Sequence, residues 1–133
     1  MPLKKPINHA EVLTAFKKLQ NGKAQGPDGI SAEMFKYAPK ELARHLANVI
    51  NYEFENHLPL KLGEGILIPL QKPGKPKGPR KSLRPITLVV MKRKVVAAIT
   101  HGRIGHKLQL YMSKNQSAYT PRRGTSDVVW MHR

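Results

Sequence analysis

The sequence contains no cysteine, which excludes disulfide bonds and every zinc site that is built on thiolates. No apolar run approaches the roughly 18 residues that a membrane-spanning helix needs. The amino terminus "MPLKKPINHAEV" lacks a secretory hydrophobic region. These absences predict an intracellular protein without crosslinks and without a membrane span.

Acidic residues are scarce, and the few present do not form a catalytic pattern. Eight Asp and Glu residues stand against 24 Lys and Arg. No D-x-D or D-D pair occurs in a strand-like segment, so no carboxylate pair is available for the Mg²⁺ of phosphoryl transfer. Glu53 and Glu55 lie two apart on a predicted helix and face different directions, which favours ordinary surface carboxylates.

The remaining chemistry of common catalytic sites is also missing. The six histidines are scattered, with no H-E-x-x-H motif and no acid placed beside a histidine as in a triad. The segment "GKPKGPRKS" does not match the phosphate-binding G-x-x-x-x-G-K-[ST] loop. The sequence therefore predicts no catalytic residue, no metal site and no cofactor.

What the sequence has in excess is positive charge. The formal net charge is +16 over 133 residues, a length that suits a single domain. Such self-repulsion is relieved when a polyanion neutralises it, so nucleic acid is the first partner to consider. A membrane surface and a merely solvated basic face are the alternatives.

The hydrophobic pattern predicts an α+β fold in which helices pack around a long β-hairpin. Asn8 and Glu11 form a capping pair at the start of a first helix, and "KAQGPDGIS" is typical of a loop. "EGILIPLQ" and "LRPITLVV" predict two strands, with Pro69 indicating an edge position or a bulge. The predicted segments are an amino-terminal helix (1–24), a GPDG loop with a helix (25–60), the hairpin (64–90), and a helix with an irregular closing motif (91–133).

The basic residues concentrate on the hairpin and on the start of the next helix. Between Lys61 and Lys107, Glu64 is the only acid. Lys72 and Arg84 stand at the ends of the two strands, where they can converge on one phosphate, Lys as a point charge and Arg as a fork. The alternative is a disordered, solvated hairpin tip.

Four segments, in this order, resemble a known family. They are "NGKAQGPDGISAEMFK", "EGILIPLQKPGK", "LRPITLVVMKRKVVAAITHGRI" and "NQSAYTPRRGTSDVVWMHR". The chain resembles the amino-terminal part of a reverse transcriptase of the non-LTR retrotransposon type, a class similar to group II intron maturases. Leu62 stands where many relatives carry a tryptophan.

The resemblance implies the fingers of a right-hand polymerase. By that likeness, Lys72 and Arg84 match residues that hold an incoming triphosphate. Gly26, Pro27, Asp28 and Gly29 match a loop that touches template RNA, and Arg122 and Arg123 lie near the template strand. The residues expected to contact RNA or nucleotide phosphate are Lys72, Lys75, Lys77, Arg80, Lys81, Arg84, Lys92, Arg93, Lys94, Arg122 and Arg123.

The catalytic aspartates of the family come after a segment like "SDVVWMHR", so the sequence carries neither palm nor thumb. We therefore expect a non-catalytic RNA-binding protein, a structural component of a ribonucleoprotein such as an organellar ribosome. Its partners would be rRNA or template RNA and other proteins of that particle. An intracellular location, mitochondrial or otherwise organellar, is favoured over secretion, and nucleus or cytoplasm is the alternative. The alternative is a fragment or split part of an active RNA-directed DNA polymerase, whose palm and Mg²⁺ lie elsewhere.

Overall fold

The computed structural model describes residues 5–60 and 62–131 and confirms the α+β class. The elements, in chain order, are α1 (His9–Lys18), α2 (Ala32–Lys36), α3 (Lys40–Glu55), β1 (Gly65–Gln71), a 3₁₀ turn (Arg80–Ser82), β2 (Leu83–Val89), α4 (Met91–Tyr111) and α5 (Thr125–Met131). None of the helices in these described ranges is long and apolar enough to cross a membrane.

The first helix begins with the capping box that its sequence predicts. Asn8 Oδ1 accepts a hydrogen bond from the Ala10 amide at 3.2 Å, and Glu11 Oε2 accepts one from the Asn8 amide at 3.0 Å. Each bond satisfies an amide that the first helical turn leaves without a partner. The Asn51 side chain also brackets Ile7, accepting from its amide at 2.7 Å and donating to its carbonyl at 2.9 Å, which ties the start of α1 to α3.

The hydrophobic core lies among α1, α2, α3 and the first half of α4. Phe16 of α1 and Phe35 of α2 stack with ring centroids 5.2 Å apart, an edge-tilted arrangement that aromatic pairs prefer. The buried residues of the core are Ile7, Val12, Ala15, Phe16, Ala32, Phe35, Ala43, Ala47, Ile50, Met91, Val95 and Ile99.

The buried face of α3 agrees only in part with the apolar pattern, which predicts a face through Leu42, Leu46, Val49, Ile50 and Phe54. Ile50 is buried and Leu46 packs against the core, but the other two buried residues of α3 are Ala43 and Ala47. Leu42 and Phe54 are exposed. The two alanines on this face let the backbones of α1 and α3 approach closely, which the pattern of large apolar side chains did not predict.

The hairpin pairs its two strands antiparallel, with Leu70 opposite Arg84 and Pro69 opposite Pro85. The Lys72 amide donates to the Ser82 carbonyl at 2.8 Å. Counting back along the register from this bond makes Pro69 and Pro85 a pair without ladder hydrogen bonds, so both proline nitrogens point away from the partner strand. The edge position predicted for Pro69 is confirmed, and neither proline costs the ladder a bond.

The chain divides into two compact units, and the division falls inside α4, between Ile99 and Thr100. The first unit holds the core and the hairpin. The helical spacing of apolar residues predicts that one face of α4 continues as Val95, Val96, Ile99, Ile104, Leu108 and Met112. In the second unit, Leu108 and Met112 of that face are exposed. The helix nonetheless runs without interruption through Gly102 and Gly105.

Candidate nucleic-acid interface

The hairpin tip, residues 72–82, has a fixed set of hydrogen bonds. Gln71 Nε2 donates to the carbonyls of Lys75 and Pro76, at 2.9 and 3.3 Å. Lys72 Nζ donates to the Lys81 carbonyl at 2.8 Å. The tip is exposed, but these hydrogen bonds connect its two sides. Its Lys and Arg residues therefore lie on a loop with a defined conformation.

Lys72 and Arg84 lie on the same face of the hairpin. Lys72 pairs with Ser82, and Arg84 lies two residues farther along β2, which makes the two side chains diagonal neighbours about 7–8 Å apart at the backbone. Lys72 Nζ has two further donors besides the one given to Lys81. This placement is compatible with the predicted shared phosphate.

The three consecutive basic residues that open α4 do not act alike. Lys92 Nζ forms an ion pair with Glu53, 2.8 Å from Oε1 and 2.7 Å from Oε2. Arg93 Nη1 donates to the Leu62 carbonyl at 3.3 Å, and Lys94 lines a groove. The structure thus gives Lys92 a carboxylate partner that the sequence did not predict, and it gives Glu53 an ion pair that its interpretation as a plain surface carboxylate did not include.

A groove of about 540 Å³ lies in the first unit, between the end of α1 and the base of the hairpin. Its floor is mainly apolar and its three charged residues are all lysines, Lys18, Lys23 and Lys94. Its lining consists of Lys18, Leu19, Gln20, Lys23, Ala24, Ala32, Ile86, Thr87, Leu88, Met91 and Lys94. The groove therefore offers apolar surface rimmed by positive charge.

The GPDG loop packs against the end of β2, beside this groove. The Gly29 amide donates to the Gly26 carbonyl at 3.1 Å, and Asp28 Oδ1 accepts from the Ile30 amide at 3.2 Å. Gly29 has φ +69°, in the left-handed region that favours glycine. A side-chain carbon built on Gly26 would lie 2.6 Å from the Val89 carbonyl oxygen, so the turn can sit against the strand only because residue 26 has none.

Glu33 of α2 anchors the segment at Gly22, which leads into this loop. Its carboxylate accepts from the Gly22 amide at 2.5 Å, and this bond, with one from its own amide, holds the pKa of Glu33 below the ordinary 4.5. A lowered pKa stabilises the folded state above the pKa of the unfolded chain, and the contribution is lost as the pH falls through the folded value. The loop anchor is therefore present at neutral pH and lost in acid.

The second unit carries the remaining predicted contacts. Arg123 Nη1 donates to the Lys114 carbonyl at 2.9 Å, and Arg122 is exposed with φ +62°. A polar pocket of about 290 Å³ is lined by Gln109, Met112, Ser113, Gln116, Thr120, Pro121 and Arg123. Arg123 thus uses one of its N–H groups to close its own loop. Among the described contacts, the Arg122 side chain forms no hydrogen bond.

No protein-family model matches the chain. Among residues 5–60 and 62–131, no three His, Asp or Glu side chains cluster as metal ligands would. The reverse-transcriptase likeness therefore stays a prediction from the four sequence segments, as does the expectation of no metal.

Sequence reasoning missed Lys18 and Lys23. Lys18 ends α1 and Lys23 lies in the following loop, outside the basic block between Lys61 and Lys107. They meet Lys94 only because the loop folds back along β2. The available signal was the nearness of both lysines to the "GPDG" turn, which the resemblance had already connected with RNA.

Proposed function

We propose that this chain is a non-catalytic RNA-binding protein that grips single-stranded or loop RNA between the lysine-rimmed groove and the basic hairpin. The observation that carries the proposal is the groove itself, whose charged residues are lysines from three separate elements. The lining of the groove contains no Asp or Glu. Among the described residues, Lys18, Lys23 and Lys94 form no ion pair. Three cations drawn together without counter-charge favour an anionic partner.

RNA fits both parts of the groove better than a simple anion does. An unstacked nucleotide presents a flat apolar face, which the apolar lining formed by Leu19, Ile86 and Leu88 can cover. Its phosphates match the lysine rim, and their neutralisation releases counterions. Recognition of this kind is typical of proteins that bind unpaired RNA.

The hairpin extends the same basic surface. Its tip adds Lys75, Lys77, Arg80 and Lys81, all exposed. We include Lys72 and Arg84 as phosphate contacts and leave Lys92 out, because Glu53 already holds it. The second unit contributes Arg122 and Arg123 to the proposal through the sequence likeness alone.

In this proposal the chain is not an enzyme and uses no Mg²⁺ by itself. The likeness to reverse-transcriptase fingers supports an origin in that family, with the basic surface kept for RNA. The positive charge supports a place in a ribonucleoprotein, such as an organellar ribosome, since rRNA phosphates would offset it.

The hairpin contribution is tested by Lys72→Ala with Arg84→Ala in one chain. We expect weaker binding to a single-stranded RNA oligomer and a salt slope reduced by about 1.4, which is two contacts at about 0.7 each. The measurement is fluorescence anisotropy at several salt concentrations.

The control removes equal charge elsewhere, with Lys40→Ala and Arg44→Ala on the exposed side of α3. It should leave the slope close to that of the unmodified chain. Equal losses in the two double variants would mean that the hairpin is not a contact surface.

A further inference from the structure

Two of the basic residues at the start of α4 form polar contacts with other parts of the first unit. Lys92 is held by both oxygens of Glu53, with side-chain exposures of only 24% and 19%. Arg93 reaches back to the Leu62 carbonyl at 3.3 Å. Together they connect the first turn of α4 to the end of α3 and to the segment that enters β1.

These two contacts bracket the hairpin. Leu62 lies three residues before β1 begins, and Lys92 lies three residues after β2 ends. The strand residues between them are mostly exposed, with β1 exposed along its whole length. Few packing contacts therefore fix the direction in which the hairpin leaves the core. The polar contacts at its two ends are correspondingly more important for holding that direction.

We propose that Glu53, Lys92 and Arg93 set the orientation of the hairpin, and that the Glu53–Lys92 pair does so without itself contacting RNA. The inference rests on the proposed function, since the hairpin matters there as an RNA contact. Arg93 acts on the entering segment, and the Glu53–Lys92 pair acts on the exit. Both act through the backbone of the hairpin and not through a ligand.

The salt dependence of RNA binding distinguishes this role from direct phosphate binding. A lysine already neutralised by a carboxylate releases no counterion when RNA arrives, so removing it leaves the salt slope unchanged. A phosphate-binding lysine would lower that slope by about 0.7 when removed. Glu53 gives a second contrast, because removing an acid from a protein that binds RNA by charge alone should strengthen binding.

The decisive variant is Glu53→Gln. We expect it to weaken RNA binding although it makes the chain more positive, and to leave the salt slope unchanged. Without RNA, it should speed hydrogen exchange at the ladder amides of Ile68 and Ile86 by about two- to fivefold, the effect expected of a partly exposed ion pair. The exchange of the Val12 amide, inside α1, should not change.

Two further variants complete the test. Lys92→Gln should repeat the faster hairpin exchange with an unchanged slope, and the exchanged pair Glu53→Lys with Lys92→Glu should recover part of both properties at the original net charge. Tighter RNA binding by Glu53→Gln with unaltered exchange at Ile68 would overturn the proposal. If the unmodified chain fails to bind RNA, the proposed function fails, while the exchange measurement still decides whether the pair positions the hairpin.

Discussion

Replacing Lys18, Lys23 and Lys94 together by glutamine is expected to weaken RNA binding about 100-fold at 0.1 M salt. Each phosphate contact to a single strand contributes about 0.7 to the salt slope, so three contacts account for about two orders of magnitude at that concentration. The three residues come from α1, the following loop and α4, yet they line one groove. Titration of a labelled RNA oligomer at several salt concentrations measures both the loss and the change of slope.

A matched variant changes three exposed basic residues outside the groove, Lys17, Lys40 and Arg44, to glutamine. Its net charge falls by the same amount, but none of the three lines the groove. Exposed charges that make no contact are largely screened at this salt concentration, so the loss should be small. Comparable losses in the two triple variants would show that RNA responds to total charge and not to the groove.

Gly26→Ala is expected to destabilise the first unit by about 1–3 kcal/mol, the usual cost of forcing extra volume into a packed site. The added carbon would lie 2.6 Å from the Val89 carbonyl oxygen and 2.9 Å from the Val90 amide nitrogen. These are backbone atoms, which cannot rotate out of the way as a side chain can. The turn must separate from β2, so chemical denaturation should show lower stability and the RNA titration weaker binding.

Gly102→Ala is the opposite case and serves as the control. Gly102 lies within α4, and a side-chain carbon there would have no heavy atom within 4 Å outside its own chain neighbours and helix backbone. Alanine at that position should stabilise the helix by up to about 1 kcal/mol, because glycine is the poorer helix former. If Gly26→Ala were as stable as the unmodified chain, the close packing of the GPDG turn on β2 would be refuted.

Local signals in the sequence predicted most of the secondary structure. Asn8 and Glu11 fixed the start of α1 because a capping box needs only residues three apart. The two apolar runs with one proline each predicted the hairpin, and the register explains why the prolines are tolerated. These features depend on neighbours in the chain, which is why they are readable without a structure.

The features that decide the candidate site depend on residues far apart in the chain. Lys92 belongs to the basic block by position, but its partner is Glu53, 39 residues earlier. Lys18 and Lys94 share a groove only through the folding of β2 against the loop after α1. The alanine face of α3 was missed for a related reason, since close helix packing favours small side chains that carry little hydrophobic signal.

The central claim, binding to RNA through the groove and hairpin cations, is tested most directly by the salt dependence of the unmodified chain. The affinity for a single-stranded RNA oligomer is measured between low and moderate salt. Five contacts, from Lys18, Lys23, Lys94, Lys72 and Arg84, predict a slope of log affinity against log salt of about −3.5, and contacts from the hairpin tip would make it steeper. A slope near zero, or no binding at low salt, would contradict the account.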